Sequence, residues 1–418
     1  MDLHDLARRM TAAALAAVDP ERLARDELIP RGERFGAALA VGKAATPLAR
    51  GAREALEPSA RRLLIRPHNT PGLLDPGWEQ TTGGHPLPDR QSVAAGERLE
   101  RWLAGIAPRP LLALISGGGS ACVEIPAPGL TLEDLIATQR ALLASGLPIQ
   151  KVNAVRKHLS RLKGGGALRA TGGRLPRILA LLLSDVPGDD PAAIASGPFA
   201  ADPTTYAEAL AAVEGLPVPE AVRRHLAAGA RGELPETMKR DPPEVETVLL
   251  GSVRTAVEAA VSEARRHGFH AVAGELSGEA VAAALDLVAR GRALGGSGTA
   301  LVLGGETTVT LRGETGRGGR NQELALAAAR ELKGGPTEGK TELVFTLATD
   351  GEDGPTRSAG GTVDGATWEA VRRAGIDPQA ALARHDSRTA LAAVPGALLE
   401  TGPTGTNVGD LAVYLRVG

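Results

Sequence analysis

The chain has 418 residues, 43% of them hydrophobic, which predicts two domains with sizeable cores. A net charge of −2 and an aromatic content of 2% argue against nucleic-acid binding, which needs a basic surface or stacking side chains. A single cysteine, Cys122, excludes an internal disulfide and a cysteine-rich metal site, and suits a reducing cytoplasm. Neither a signal peptide nor a long apolar run is evident, so we expect a cytoplasmic protein without a membrane partner.

The first 200 residues predict strands that alternate with helices. Apolar residues at helical spacing predict one or two helices over residues 2–28 and another over 130–143. Short apolar runs that end in glycine or polar residues predict buried strands at 37–41, 63–68, 111–115 and 178–183. This alternation is typical of a parallel sheet, in which ligands bind outside the carboxyl ends of the strands.

The proline-rich and charged stretch 233–246 is the best candidate for a linker. A second series then begins near residue 247, and it includes a hairpin or edge strand at 299–311 and a strand at 343–348. We therefore expect an α/β protein with two domains, 1–240 and 241–418. Each domain is expected to contain a largely parallel, Rossmann-like sheet flanked by helices.

A glycine-rich loop, Ser116-Gly117-Gly118-Gly119-Ser120, follows the strand at 111–115. Glycines let backbone N–H groups approach a ligand closely, and the two serines add hydroxyl donors. The loop is therefore a candidate cradle for phosphate groups. The alternative is an ordinary glycine-rich turn between a strand and a helix.

Basic side chains near other glycines are candidates for binding an anion. Lys43 follows the glycine that ends the strand at 37–41, although the loop is not a Walker A motif. Lys157 and Lys163 belong to a basic run that ends at Gly164, and His85 lies on a loop between glycines and a proline. For each side chain the alternative is simple solvation on a loop or on a charged helix face.

An acidic loop follows the strand at 178–183, with Asp185, Asp189 and Asp190 within six residues. Carboxylates just beyond a parallel strand suit Mg²⁺, which takes one or two of them together with water and phosphate oxygens. Turn formation and helix capping are the alternative, but three aspartates without a basic neighbour favour a metal. The polar loops together indicate a large anionic ligand with a divalent ion.

Several stretches occur in series along the chain. They are Ser116–Ala121, Arg156–Ser160 with Lys163–Gly165, Ser184–Asp189, Gly304–Val309, Gly316–Glu323 and Thr349–Pro355. In this order they resemble the glycerate 2-kinases of the MOFRL type, a family once labelled hydroxypyruvate reductase. Each motif alone is weak, but the series is specific and spans nearly the whole chain.

The resemblance implies two α/β domains with the active site in the cleft between them, and ATP, Mg²⁺ and D-glycerate as ligands. It implies that Lys43 and Arg320 are the catalytic cations, and that His85, Arg317 and Arg320 bind the substrate. The implied metal ligands are Asp185 and Asp189. The implied nucleotide-binding residues are Ser116, Gly117, Gly118, Gly119, Ser120, Lys157, Lys163, Gly164, Asp185, Asp189 and Asp350.

Phosphoryl transfer fits these residues because it needs positioning and positive charge rather than covalent chemistry from the protein. Two alternatives stay open: an NAD(P)H-dependent hydroxypyruvate reductase, and a non-catalytic nucleotide-binding protein. The reductase would need a nicotinamide fingerprint, G-x-G-x-x-G after a strand, which the sequence lacks. The sequence leaves the general base, the breadth of substrates and the oligomeric state open, with a homodimer among the options.

Overall fold

A computed structural model describes residues 2–311, 315–334 and 341–418. The chain divides into two compact units, each with its own sheet. The N-unit is Pro20–Leu250, and the C-unit combines Gly251–Gly418 with Met1–Asp19. This division differs from the predicted boundary at 240/241, because the first helix belongs to the C-unit and the change of unit falls ten residues later.

The N-unit sheet is built from the predicted apolar runs and two strands that the sequence analysis missed or misplaced. Its strands are β1 (Phe35–Val41), β2 (Leu56–Pro67), β3 (Glu79–Gly83), β4 (Leu111–Ser116), β5 (Ile178–Leu183) and β6 (Val245–Gly251). Their order is β3-β2-β1-β4-β5-β6, and the pairs from β3 to β5 are parallel. The predicted parallel sheet is confirmed here. The strand expected to open the second series is β6, which lies instead in this first sheet.

The C-unit sheet consists of β7 (His270–Leu276), β8 (Thr299–Gly305), β9 (Thr341–Ala348), β10 (Gly360–Asp364), β11 (Leu398–Leu399) and β12 (Asp410–Val417). Their order is β11-β10-β9-β12-β8-β7. Within the described residues β7 and β8 pair in parallel, whereas β12 runs antiparallel to both β8 and β9, and β10 runs antiparallel to β9 and β11. The α/β class is confirmed; β7, β8 and β9 run in the same direction, and β12 returns antiparallel between β8 and β9.

The expected hairpin or edge strand at 299–311 is also corrected. The strand ends at Gly305 and is an interior strand, bonded to β7 on one side and to β12 on the other. The last strand, β12, was not predicted, although Leu411–Leu415 is an unbroken apolar run and is fully buried.

Helices flank the sheets in the described ranges. They are α1 (Leu3–Ala17), α2 (Pro20–Arg31), α3 (Ala45–Gly51), α4 (Arg90–Gly105), α5 (Gly119–Cys122), α6 (Leu132–Ala144), α7 (Ile149–His158), α8 (Gly166–Ala170), α9 (Tyr206–Ala212), α10 (Glu220–Ala230), α11 (Val253–Arg266), α12 (Ala280–Ala293), α13 (Arg320–Leu332), α14 (Thr367–Arg373), α15 (Pro378–Ala383) and α16 (Ser387–Ala392). The predicted helices at 2–28 and 130–143 correspond to α1 with α2 and to α6. Among the described helices, none has the length and apolarity needed to cross a membrane.

Each sheet supplies the centre of a hydrophobic core. Every residue of β4 and β5 is buried, as expected for strands covered on both faces. In the N-unit, Leu99 and Trp102 of α4 pack into this core. In the C-unit, α13 is buried over most of its length and belongs to the same hydrophobic core as Tyr414 of β12. The rigid sheets fix the positions of the loops at their strand ends.

Candidate active-site residues in the two units

The loops after β1 and β4 are tied together at the carboxyl edge of the N-unit sheet. The N–H of Lys43 donates to the carbonyl of Gly117 (2.9 Å), and the N–H of Ala44 donates to Ser116 Oγ (3.0 Å). Gly42 has a φ of +113°, and a Cβ there would crowd Ser116. Ser116 is completely buried and its hydroxyl serves this junction, so its predicted contact with nucleotide stays a prediction.

Three side chains from other loops surround the glycine loop. Gly118 has a φ of +80°, and a Cβ there would lie 3.1 Å from Lys43 Cγ and 3.2 Å from His85 Cδ2. A Cβ on Gly117 would overlap the carboxylate of Asp185. The structure therefore brings Lys43, His85 and Asp185 together around two of the predicted glycines, as parallel strands that end at one edge would do.

Ser120 is held at the far side of this loop. Its hydroxyl lies 2.9 Å from that of Ser196, a residue with a φ of +61°. The carbonyl of Ser196 in turn accepts from the N–H of Gly164 (3.0 Å). Gly119 has no room for a side chain either, since a Cβ would lie 2.9 Å from that of Ala195. Gly164 therefore supports the loop through the Ser196 turn.

Lys157 and Lys163 are buried in ion pairs. Lys157 Nζ lies 3.1 Å from Asp202 Oδ1, and Lys163 Nζ binds Glu124. Burial lowers the pKa of Lys163, and Glu124 acts in the opposite direction. Both ammonium groups therefore have a carboxylate partner within the N-unit, and their contacts with phosphate stay a prediction. The alternative of a solvated helix face does not hold either, because both lysine side chains are buried.

The acidic loop after β5 combines different roles. Asp185 packs on Gly117, whereas Asp190 Oδ1 accepts from the N–H of Ala192 (2.9 Å), as in a turn. Asp189 has a φ of +57°, and its N–H closes a turn on Val186. In the part of the chain that the structure describes, no group of three or more His, Cys, Asp or Glu residues is arranged to hold a metal.

The loop that carries His85 is anchored by Asp89, which caps α4. Asp89 Oδ1 accepts from the N–H of Ser92 (2.8 Å) and of Gly84 (3.2 Å), and Asp89 Oδ2 lies 2.7 Å from His68 Nε2. Burial opposes ionisation of Asp89, but these hydrogen bonds prevail and lower its pKa to about 2. A carboxylate that is ionised at neutral pH therefore fixes the start of α4 and the loop before it.

In the C-unit, Arg320 begins α13 and lies between two carboxylates. Its Nη2 is 3.3 Å from Asp410 Oδ1, its Nε donates to the other oxygen of Asp410, and its Nη1 binds Glu306. Asp410 begins β12 and is paired with Gly305 and Ala348, so it lies at the carboxyl ends of β8 and β9. Burial raises the pKa of Asp410 to about 7, although Arg320 opposes this.

Asp353 fixes the start of α13. Its carboxylate accepts from the N–H groups of Asn321 (3.0 Å) and Gln322 (2.8 Å) and from Gln322 Nε2 (3.0 Å). Burial raises the pKa of Asp353, although these donors favour its charged form. A Cβ on Gly319 would overlap Asp353, so glycine is required where the chain enters the helix. Arg320 therefore projects from a well-defined first turn.

Arg317 and Asp350 occupy loops of the C-unit. The N–H of Arg317 donates to Asp386 Oδ1 (2.9 Å), its carbonyl accepts from the N–H of Arg388 (2.9 Å), and its side chain is exposed. Asp350 Oδ1 accepts from the N–H of Glu352 (3.1 Å) in the turn after β9. Lys43 and Arg320 thus belong to different units, and the expected site between the domains stays a prediction.

Comparisons with known proteins cover the chain almost completely. A family model described as a domain of unknown function, DUF4147, matches residues 6–227, and the MOFRL family model matches residues 299–410. A glycerate 2-kinase of Pyrococcus horikoshii is 38% identical over 99% of this chain and 98% of its own. A crystal structure of glycerate kinase from Thermotoga maritima matches with a TM-score of 0.85 and 37% identity over 99% of each chain. A putative hydroxypyruvate reductase of Agrobacterium vitis is 39% identical over 98% of this chain and 93% of its own.

This chain belongs to the glycerate 2-kinase family. The roles of Glu306, Asp353 and Asp410 in this family member were not predicted from the sequence, although Glu306 and Asp353 lie in the motifs Gly304–Val309 and Thr349–Pro355. The signal that could have indicated them is their position next to apolar strands. Glu306 follows β8, Asp353 lies in the loop after β9, and Asp410 precedes the apolar run of β12. It also missed Ser196, which lies in a strained turn beside the glycine loop.

Proposed function

We propose that this protein transfers the γ-phosphate of ATP to the 2-hydroxyl of D-glycerate, giving 2-phosphoglycerate and ADP. The observation that carries the proposal is the similarity over the full length of both units to glycerate 2-kinases. It is supported by the convergence of Lys43, His85 and Asp185 on a glycine loop in one unit, and by Arg320 at the start of a helix in the other. Such groups provide the positioning and positive charge that phosphoryl transfer requires.

In this proposal the glycine loop and Lys43 hold the transferring phosphate. A Cβ on Gly118 would lie 3.1 Å from Lys43 Cγ, so the side chain of Lys43 lies against this loop, and its ammonium group would supply a compact positive charge to a phosphate bound there. Charge that develops on the phosphate in the transition state is stabilised by donors that are already in place. The nearby His85 binds the glycerate or exchanges a proton with its hydroxyl.

Asp185 fits the role of a ligand to Mg²⁺. Its carboxylate lies against Gly117, where phosphate oxygens of ATP would complete the coordination of a hydrated ion. Asp189, on the same loop, would supply the second carboxylate. A bound Mg²⁺ would neutralise charge on the nucleotide phosphates, and the protein residues would orient them. Lys157 and Lys163 have no part in this proposal, because both are committed to buried partners.

Arg320 is proposed to grip an anionic group of the substrate with its planar fork. An arginine that clamps the carboxylate of glycerate fixes the adjacent 2-hydroxyl, whereas the 3-hydroxyl rotates about a free bond. Near-attack geometry is therefore reached more easily at carbon two. The exposed Arg317, three residues before Arg320, lies on the same glycine-rich loop and would serve as a second contact.

The product can be identified by coupling to enolase, pyruvate kinase and lactate dehydrogenase in the absence of phosphoglycerate mutase. Enolase accepts the 2-isomer, so we expect oxidation of NADH to start at once when D-glycerate, ATP and Mg²⁺ are present. A signal that appears only after mutase is added would identify the product as 3-phosphoglycerate and contradict the proposal. Reactions without enolase report background oxidation.

The name of the Agrobacterium relative makes hydroxypyruvate reduction the second candidate. Oxidation of NADH or NADPH with hydroxypyruvate, in the absence of the coupling enzymes, tests it directly. ATP binding without turnover on any small hydroxy acid would instead support a non-catalytic nucleotide-binding protein. A panel of hydroxy acids with ADP release as the readout separates these outcomes.

We place the protein in the cytoplasm, and we propose a homodimer as its assembly. The single cysteine supports the first part, because a chain that forms no internal disulfide suits a reducing compartment. Sedimentation or light scattering that gives the mass of one chain would exclude the homodimer.

A further inference from the structure

Arg320 carries one positive charge and is bound by two carboxylates from different elements of the C-unit. Asp410 approaches from the start of β12, and Glu306 follows the end of β8. With both carboxylates ionised, as they are above about pH 7, the cluster has a net charge of −1, before Asp353 is counted. A cluster with this net charge repels an anionic ligand, unless one of the two carboxylates moves away from the guanidinium.

The two carboxylates differ in burial and in the way they bind. The Asp410 side chain is 2% exposed and takes the Nε and Nη2 edge of the guanidinium with both oxygens. The Glu306 side chain is 47% exposed and contacts Nη1 alone. Arg320 itself is one-third exposed, so part of its fork is open to solvent.

We propose that Asp410 is the positioning residue for Arg320, and that Glu306 occupies the ligand-facing edge of the guanidinium until an anionic group of the substrate replaces it. The proposal rests on the proposed function for the identity of the substrates. Asp410 stays in place because a buried carboxylate without its partner is strongly unfavourable. Glu306 leaves because its carboxylate returns to water, where its charge is solvated.

The exchange gives Glu306 a measurable effect on binding. Glutamine at this position has nearly the same shape but no charge, so the incoming anion no longer competes with a carboxylate. Glu306→Gln should lower a KM about threefold or more and leave kcat within about twofold. A lower KM for D-glycerate identifies a carboxylate as the incoming group, and a lower KM for ATP identifies a phosphate. The matched control is Glu369→Gln, which removes an equally exposed, ion-paired glutamate of the C-unit.

Asp410 is tested by a double-mutant cycle with Arg320. Asp410→Asn should reduce kcat about tenfold in the natural background, and should have little further effect in an Arg320→Lys background, because it acts through the arginine. Equal losses in both backgrounds would overturn the positioning role. If Asp410→Asn fails to fold, as judged by thermal unfolding, the Glu306→Gln comparison still decides the exchange.

The proposal and the proposed function can fail separately. A KM that is unchanged or raised in Glu306→Gln, in an enzyme that does phosphorylate D-glycerate, would overturn the exchange and leave the function intact. If the natural chain shows no phosphorylation, the proposed function fails. Calorimetric titration of the natural chain and of Glu306→Gln with D-glycerate and with inorganic phosphate then tests the exchange. Tighter binding of either ligand by Glu306→Gln than by the natural chain supports the exchange. The same affinity in the two proteins for each ligand overturns it.

Discussion

The backbone N–H of Lys43 donates to the carbonyl of Gly117 at 2.9 Å. This hydrogen bond joins the end of β1 to the glycine loop after β4, so the lysine and the loop are placed by the same pair of strands. The side chain of Lys43 then extends against Gly118. A charge held in this way needs little rearrangement when it meets a phosphate.

Lys43→Met should lower kcat about a hundredfold or more, because it removes a preorganised charge while retaining the length of the side chain. Steady-state kinetics with D-glycerate and ATP measure this. Lys151→Met, at an exposed lysine of α7, is the matched control and should behave as the natural chain does. A Lys43→Met enzyme with a normal kcat would remove Lys43 from the proposed machinery.

Arg320→Lys keeps the positive charge but loses the planar guanidinium. In the natural chain this group binds Asp410 through one edge, while its Nη1 binds a second partner. We expect kcat/KM to fall about tenfold or more, with little change in thermal stability. Arg266→Lys, at an exposed arginine paired with Glu263, controls for the change of residue type. Full activity in Arg320→Lys would mean that the residue acts as a distant charge.

Asp185→Asn and Asp189→Asn should each raise the Mg²⁺ concentration that gives the half-maximal rate, because each removes a charged oxygen ligand. Asp190→Asn lies in the same loop and keeps its turn through the amide oxygen, so its Mg²⁺ dependence should be unchanged. Mg²⁺ titrations at saturating ATP and D-glycerate compare the three variants. If all three match the natural chain, the aspartates serve the loop structure and the metal is held elsewhere.

Lys157→Met should reduce stability and leave the KM for ATP unchanged, because its ammonium group is buried against Asp202. Removal of one partner from a buried ion pair costs about 3 kcal/mol. Urea denaturation measures the loss, and Lys239→Met, at a half-exposed lysine near the same aspartate, is expected to cost less. A raised KM for ATP without a loss of stability would restore Lys157 to the nucleotide site.

The raised pKa of Asp410 makes stability depend on pH. The carboxyl titrates near 4 in the unfolded chain and near 7 in the folded protein, where burial, Glu306 and Asp353 raise its pKa and Arg320 opposes them. Between these values the folded protein keeps a proton that the unfolded chain has released, so the contribution of Asp410 to the free energy of unfolding falls as the pH rises from about 4 to about 7.

Asp410→Asn does not titrate and should escape this decline. From pH 5 to pH 8 its free energy of unfolding should increase relative to that of the natural chain by about 3 kcal/mol. Urea denaturation across this pH range measures the difference. Asp286→Asn, at an exposed aspartate paired with Arg290, should show no such trend. A constant difference between Asp410→Asn and the natural chain would mean that Asp410 is ionised throughout.

Local pattern was enough to predict much of the N-unit. The apolar runs that became β4 and β5 are short, continuous and bounded by glycine or polar residues, so their burial on both faces follows from composition alone. Parallel strands end at one edge, which is why Lys43, the glycine loop and Asp185 could be expected to meet. The sequence by itself also determined the α/β class, since strands and helices alternate along it.

Tertiary packing decided the features that the sequence analysis missed or misassigned. The basic run of α7 has the same composition whether it faces water or the core, and only the packing of that helix committed Lys157 to Asp202. The pairing of β12 with β8 and β9 joins segments that are far apart in the chain, and it alone places Asp410 beside Arg320. Local propensity extends over a few residues, whereas burial, strand order and ion pairing depend on contacts between segments that meet only in the folded chain.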